Sequence, residues 1–352
     1  MTGIEEVAVL VGLGLLAKGC NSSKEETLEP TPTPDGMSSE PENDMGTGAS
    51  SDAPSVPVDV YHAPDSSPSP DAAPDAGPHP VLRPDVNISP SSGMSIFATD
   101  FVAPSSLLTS LDLTTGATPT TPPGIASTDV VLRSSPENIY AIDRTNSTIH
   151  VYDNALNPVR DISAGESSNP QDYFVLPDRS KGYISRLDSQ RDSSNSDDLW
   201  IVDPDNGDLL SSIDLKPYTT DDGERLARAA QMVYKEDTGE LYVMLQDLSR
   251  ALQADTNGKV VVVDTDTDEV TDTIQLDGRN PADITYSEIL NKIFVTDTGP
   301  YPIDLTNAYG GIEVINPDTN ATEGIRVDDQ DLGGAVSEIR LASADLGYVI
   351  TD

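Results

Sequence analysis

From residue 129 onward the chain is written in short apolar runs broken by polar turns, and the runs come in matched pairs. Five pairs share one layout: Asp129-Val-Val-Leu with Asn138-Ile-Tyr-Ala-Ile142, Asp172-Tyr-Phe-Val-Leu with Gly182-Tyr-Ile184, Gln231-Met-Val-Tyr with Glu240-Leu-Tyr-Val-Met244, Asp283-Ile-Thr-Tyr with Lys292-Ile-Phe-Val-Thr296, and Glu338-Ile-Arg-Leu with Gly347-Tyr-Val-Ile350. Runs of this length around a polar turn predict antiparallel hairpins. A third run follows most pairs, as in Thr148-Ile-His-Val-Tyr-Asp153, Leu199-Trp-Ile-Val-Asp203, Val260-Val-Val-Val-Asp264 and Gly311-Ile-Glu-Val-Ile-Asn316. A fourth lies beyond turns such as Pro204-Asp-Asn-Gly207 and Pro317-Asp-Thr-Asn320, whose residues favour tight reversals.

Four antiparallel strands recurring about every 45 to 60 residues is the layout of a β-propeller blade. The expected class is therefore all-β, with five to six blades or part-blades over residues 93–352. Ile96-Phe-Ala-Thr-Asp100 and Tyr348-Val-Ile-Thr-Asp352 both read as the second strand of a blade, so the ends do not complete one another. That pattern points to part of a seven-bladed ring, incomplete at the C-terminus. A six-bladed ring with an irregular last blade is the alternative.

Lys292-Ile-Phe-Val-Thr-Asp297, Gly258-Lys-Val-Val-Val-Val-Asp264 and Leu276-Asp-Gly-Arg-Asn-Pro-Ala-Asp-Ile284 resemble the YVTN-type β-propeller repeat. In that family a Tyr-Val-Thr-Asn strand, a Val-Ile-Asp strand and a Gly-x-x-Pro link recur. The resemblance implies the fold and leaves function open, because the repeated residues are strand and turn residues.

Composition changes the picture upstream. Residues 21–92 carry about half of the 28 prolines and a single aromatic, Tyr61, so they cannot bury enough apolar surface to fold and read as a disordered linker. Before them, Val7 to Ala17 is an apolar run of signal-peptide length ending in Leu16-Ala-Lys-Gly-Cys20, which resembles the bacterial lipobox. Residues 1–20 are thus expected to be a lipoprotein-type leader with Cys20, the only cysteine, as lipidation site. The n-region Met1-Thr-Gly-Ile-Glu-Glu6 lacks the usual positive charge, and Lys18 is unusual within a lipobox. The order of leader, cysteine, spacer and domain implies a lipid-anchored protein of the bacterial envelope, at the outer membrane, cell surface or periplasm.

Sixty acidic residues against twenty basic give a net charge of −40, which repels nucleic acid and anionic headgroups. Catalytic groupings are scarce: His62 and His79 lie in the linker and His150 in a strand, so no Ser-His-Asp set assembles. Asp264-Thr-Asp-Thr-Asp-Glu269 imitates the start of a calcium loop but has Glu269 at the sixth place and Gln275 at the twelfth, which leaves calcium weakly supported and no cofactor expected.

Links between first and second strands, and between third and fourth, are short. Those between second and third strands, and between blades, are longer, and elaborated loops on a rigid scaffold carry binding residues. On that face Arg186, Arg191, Arg225, Arg228, Arg250, Tyr301 and Tyr309 are the candidates, since cations and aromatics are rare here and favoured at interfaces. Trp200 is expected to pack between blades instead. The function expected is a non-enzymatic protein-interaction or scaffold module for a protein or surface polymer. A metal-dependent propeller hydrolase resembling lactonases, or a small-molecule sensor using the central channel, are the alternatives.

Overall fold

In a computed structural model, the structure describes residues 8–9, 95–102, 105–112, 125, 127, 129–220, 225–300, 309–344 and 346–351. Apart from Ala8 and Val9, the leader, Cys20, the linker and Tyr301 lie outside the described residues.

Four sheets of four strands follow one another along the chain, each with its strands in sequence order and antiparallel. Blade A comprises Val130–Ser134, Asn138–Asp143, Thr148–Asp153 and Pro158–Ser163. Blade B comprises Pro170–Val175, Gly182–Arg186, Leu199–Val202 and Leu209–Ile213. Blade C comprises Ala229–Lys235, Glu240–Leu245, Lys259–Asp264 and Glu269–Gln275. Blade D comprises Pro281–Ser287, Lys292–Thr298, Gly310–Asn316 and Ala321–Asp328. The hairpin Val336–Ser343 with Leu346–Thr351 follows D, and Ser95–Val102 with Ser105–Asp112 precedes A. Ala8 and Val9 pair in parallel with Ile96 and Phe97. The fold is a β-propeller, as the hairpin repeat predicts.

Blade C shows why these runs stack. Along its second and third strands Leu241, Val243, Val261 and Val263 face blade B, in one core with Tyr183, Leu199 and Ile201. The alternate residues Tyr242, Met244, Val260 and Val262 face blade D, in a second core with Ile284, Ile293 and Val295. Both faces are covered, so these strands are apolar without the alternation of a half-exposed sheet. The same rule builds the A–B core, where Tyr140, Ile142 and Ile149 meet Tyr173, Ile184 and Val202. Leu108 and Ile125 seat the N-terminal hairpin on blade A, and Ile312 of blade D packs on Val336 and Ile339. Each fully buried Val, Leu or Ile contributes about 1.5–3 kcal/mol. Fourth strands, by contrast, stay largely exposed, as in Leu209–Ile213.

The tight turns explain the Asn, Asp and Gly that end the strands. Asp268, Asn291 and Asn320 take positive φ of 58°, 47° and 48°, a region these side chains tolerate better than most. In the run that imitates a calcium loop, Asp264 accepts the amides of Asp266 and Thr267, and Asp268 accepts from Lys181 and Tyr183. The run is a hairpin turn pinned to the neighbouring blade.

Candidate functional site

The arginines singled out from sequence divide sharply. Arg186 is wholly buried: it donates to the carbonyls of Ala164 and Asp197, pairs with Asp192 at 2.6 Å, and lies 4.0 Å over the ring of Trp200. Trp200 therefore packs between blades as expected, beneath a guanidinium. Arg228, also buried, pairs with Asp188 across the B–C seam. Arg225 is buried against Asp255 and the Asp247 and Gln253 carbonyls. These three are internal struts of the long loops, which corrects the expectation that they face a partner. The physical reason lies in the charge: in so acidic a chain a buried guanidinium has carboxylates and carbonyls within reach to offset its burial. Arg191 and Arg250 are exposed, and Tyr309 is stacked by Arg279 at 3.7 Å.

A different set of residues converges at the inner strands. Four of the five hairpin heads, Asp172, Gln231, Asp283 and Glu338, occupy equivalent places in their first strands at a register shift that marks a bulge, whereas Asp129 precedes a first strand that pairs without one. The bulge turns the acid toward the next blade. Asp172 accepts the Met232 amide of blade C at 2.8 Å, and Asp283 accepts the Ile339 amide of the last hairpin at 3.0 Å. Asp172 also takes a two-point grip from Arg133 of blade A at 2.6 and 2.7 Å, and Asp283 pairs with Arg340. Gln231, at the same place in blade C, has a buried Oε1 with no partner. Burial raises the Glu338 carboxyl, and Asp283 adds to it, while Arg340 and Arg133 oppose the shift.

At the other end of the first strands, on the face with the short links, a cavity of about 340 Å³ opens where blades A to D meet. Its wall includes Phe174, Tyr234 and Tyr286 from three consecutive blades, with Arg133, Tyr140 and Glu288. Phe174 and Tyr234 lie 5.5 Å apart between centroids, and all three aromatics are half-buried. Beside the mouth, Ile289 is 77 % exposed. A second cleft of about 320 Å³ adjoins it through Tyr234 and runs along the B–C seam past Asp178, Lys181, Glu236 and Asp266. Aromatic faces with a few polar groups in a concave site suit ligand or partner binding. Sequence reasoning passed over these aromatics because each sits in a strand and reads as core. The signal available was their place, two or three residues after Asp172, Gln231 and Asp283.

Among the described residues, no three His, Cys, Asp or Glu side chains are grouped to hold a metal ion. No described helix is long and apolar enough to cross a membrane. Two buried carboxyls stand out. Asp198 is pushed up to about 6 by burial, against hydrogen bonds from Ser189 and the Leu215 amide. Asp297 has no partner for either oxygen, and burial, then the carboxylates of Glu313, Asp329 and Asp277, raises it well above the ordinary range. Glu313 is anchored by the amides of Asp277 and Gly278 at 2.9 and 3.0 Å.

No family model matches the chain, and no curated protein does. Among solved structures it is similar to hydrazine synthase of Kuenenia stuttgartiensis, with 13 % identity over 69 % of either chain and a TM-score of 0.49. It is also similar to a protein from Lactobacillus plantarum, with 12 % identity over 67 % of this chain and 70 % of that one, at a TM-score of 0.47. Neither likeness carries anything about function.

Proposed function

We propose that this protein is an exported, lipid-anchored β-propeller that acts at the bacterial cell envelope as a non-enzymatic interaction module, with its partner seated over the short-link face. The observation that carries the interaction reading is the gathering of Phe174, Tyr234 and Tyr286 around one cavity on that face. Half-buried aromatics at a concave mouth are what hot spots are made of. The anchor rests on the order of apolar leader, Cys20 and linker. A linker of about 70 residues at roughly 3 Å each, if extended, would let the propeller reach well over about 100 Å from the membrane. Ala8 and Val9 fall in the segment that maturation would remove, so the mature protein would lack their pairing with Ile96 and Phe97.

Two measurements test this. Mass spectrometry of the mature N-terminus is expected to find a diacylglyceryl-modified Cys20; an exported protein with an unmodified Cys20 overturns the anchor. A photo-crosslinking residue placed at Tyr234 or at Tyr286 in the producing cell is expected to give a discrete adduct, while one at the exposed outer-strand residue Leu210 gives none. Adducts at Leu210 alone would move the interface off this face.

A further inference from the structure

We infer that the two clefts joined at Tyr234 form one groove for a basic, extended protein segment, a Lys- or Arg-rich stretch whose anchoring side chain enters the aromatic mouth. The inference rests on the interaction reading and names the chemistry of the partner. Its grounds are charge and shape together. Around the mouth and along the seam, the groove presents Glu288, Glu236, Asp266 and Asp178. None of these four has an ion pair among the described residues.

The cations nearby are already engaged. Lys181, which lines the seam cleft, donates to Asp268 and to the Thr265 carbonyl at 2.8 Å each. Arg133 at the mouth is held by both oxygens of Asp172. Arg179, on the adjoining turn, bridges Glu137 and Asp205. The groove thus offers carboxylates and, among the described residues, no unpaired cation, and aromatic rings stand among its apolar residues. A guanidinium or ammonium group is the one common side-chain chemistry that gains from both, through ion pairing at the rim and cation–π contact with Tyr234, Tyr286 or Phe174. The two cavities, of about 340 and 320 Å³, each admit a single long side chain, and a continuous backbone would pass over Tyr234. An acidic segment would meet like charge at Glu288, Glu236, Asp266 and Asp178, with Lys181 and Arg133 already paired.

The experiment uses the full chain and a fluorescein-labelled peptide, Lys-Arg-Trp-Lys-Arg, followed by fluorescence anisotropy. A Glu-for-Lys/Arg counterpart and free trimethyl-lysine serve as comparison probes. The basic peptide is expected to bind and the acidic one not to. The combined Asp178→Asn, Glu236→Gln and Asp266→Asn variant, all surface changes, is expected to weaken binding about tenfold. Asp214→Asn, Asp272→Asn and Asp331→Asn together remove as many charges outside the groove and are expected to leave affinity within about twofold. Equal losses in the two variants would mean that the peptide answers only to the overall charge, and would overturn the groove. Trimethyl-lysine binding as tightly as the peptide would replace the extended segment by a small organic cation. Crosslinking at Tyr234 without any peptide binding would leave the interaction face standing and remove the basic partner.

Discussion

Asp297 concentrates the electrostatic problem of this molecule in one side chain. It is fully buried, neither oxygen has a partner, and three further carboxylates raise its proton affinity. Burial also raises Glu313 beside it, but Thr322 and two backbone amides oppose that shift, whereas Asp297 has no such partner, so the proton belongs on Asp297. A carboxyl whose folded pKa is raised stabilises the fold fully below its unfolded value near 4, and that contribution is lost as pH rises toward the folded value. Asp297→Asn removes the titration. In urea melts from about pH 4 to about pH 8 the parent is expected to lose stability against the variant, with a gap of at least about 1 kcal/mol at the alkaline end. Parallel profiles would show that Asp297 is not the group responsible. None of this is legible in sequence, where Lys292-Ile-Phe-Val-Thr-Asp297 reads as a strand ending in an ordinary turn acid. The arginines mislead for a related reason: their rarity suggested exposure, yet scarce cations among abundant carboxylates are the ones a long loop can afford to bury.

At the level of the strand, the bulge acid is the device that sequence displayed without explaining. The letters Asp129, Asp172, Gln231, Asp283 and Glu338 were visible as the heads of five hairpins, and the hairpins themselves followed from runs and turns. That Asp172 and Asp283 grip the neighbouring first strand was not visible, because a bulge is a register event between chains of hydrogen bonds that no local pattern states. Asp172 gives the clearest case, serving both the Met232 amide and Arg133. Asp172→Ala strands a buried amide and half-exposed guanidinium, and is expected to cost about 3 kcal/mol in urea denaturation. Asp172→Asn keeps an acceptor for Met232 and is expected to lose about 1–2 kcal/mol. Equal losses would assign the effect to packing instead.

Across the whole molecule, the blades hold one another by apolar faces, and the polar grip is uneven. The A–B, B–C and D–hairpin contacts have an aspartate clasp, whereas the C–D seam lacks one at Gln231 and is held by its hydrophobic core, by Tyr242 on Asn320 and by Gln246 on the Pro281 carbonyl. That seam is expected to open first, seen in hydrogen exchange as faster labelling of residues 281–298 than of residues 170–186. Gln231→Asp, which offers the Ile284 amide the partner that Met232 and Ile339 have, is expected to slow it. No change in either comparison would place the seam on a par with the others.

The cavity at the short-link face takes Tyr234 from blade C and Tyr286 from blade D, so its wall runs across the seam that lacks an aspartate clasp. Whatever settles there acts as a rivet through the molecule's fault line. Occupancy would then be felt as stiffness throughout the C–D joint, well beyond the surface touched, and the propeller would report capture by ceasing to breathe.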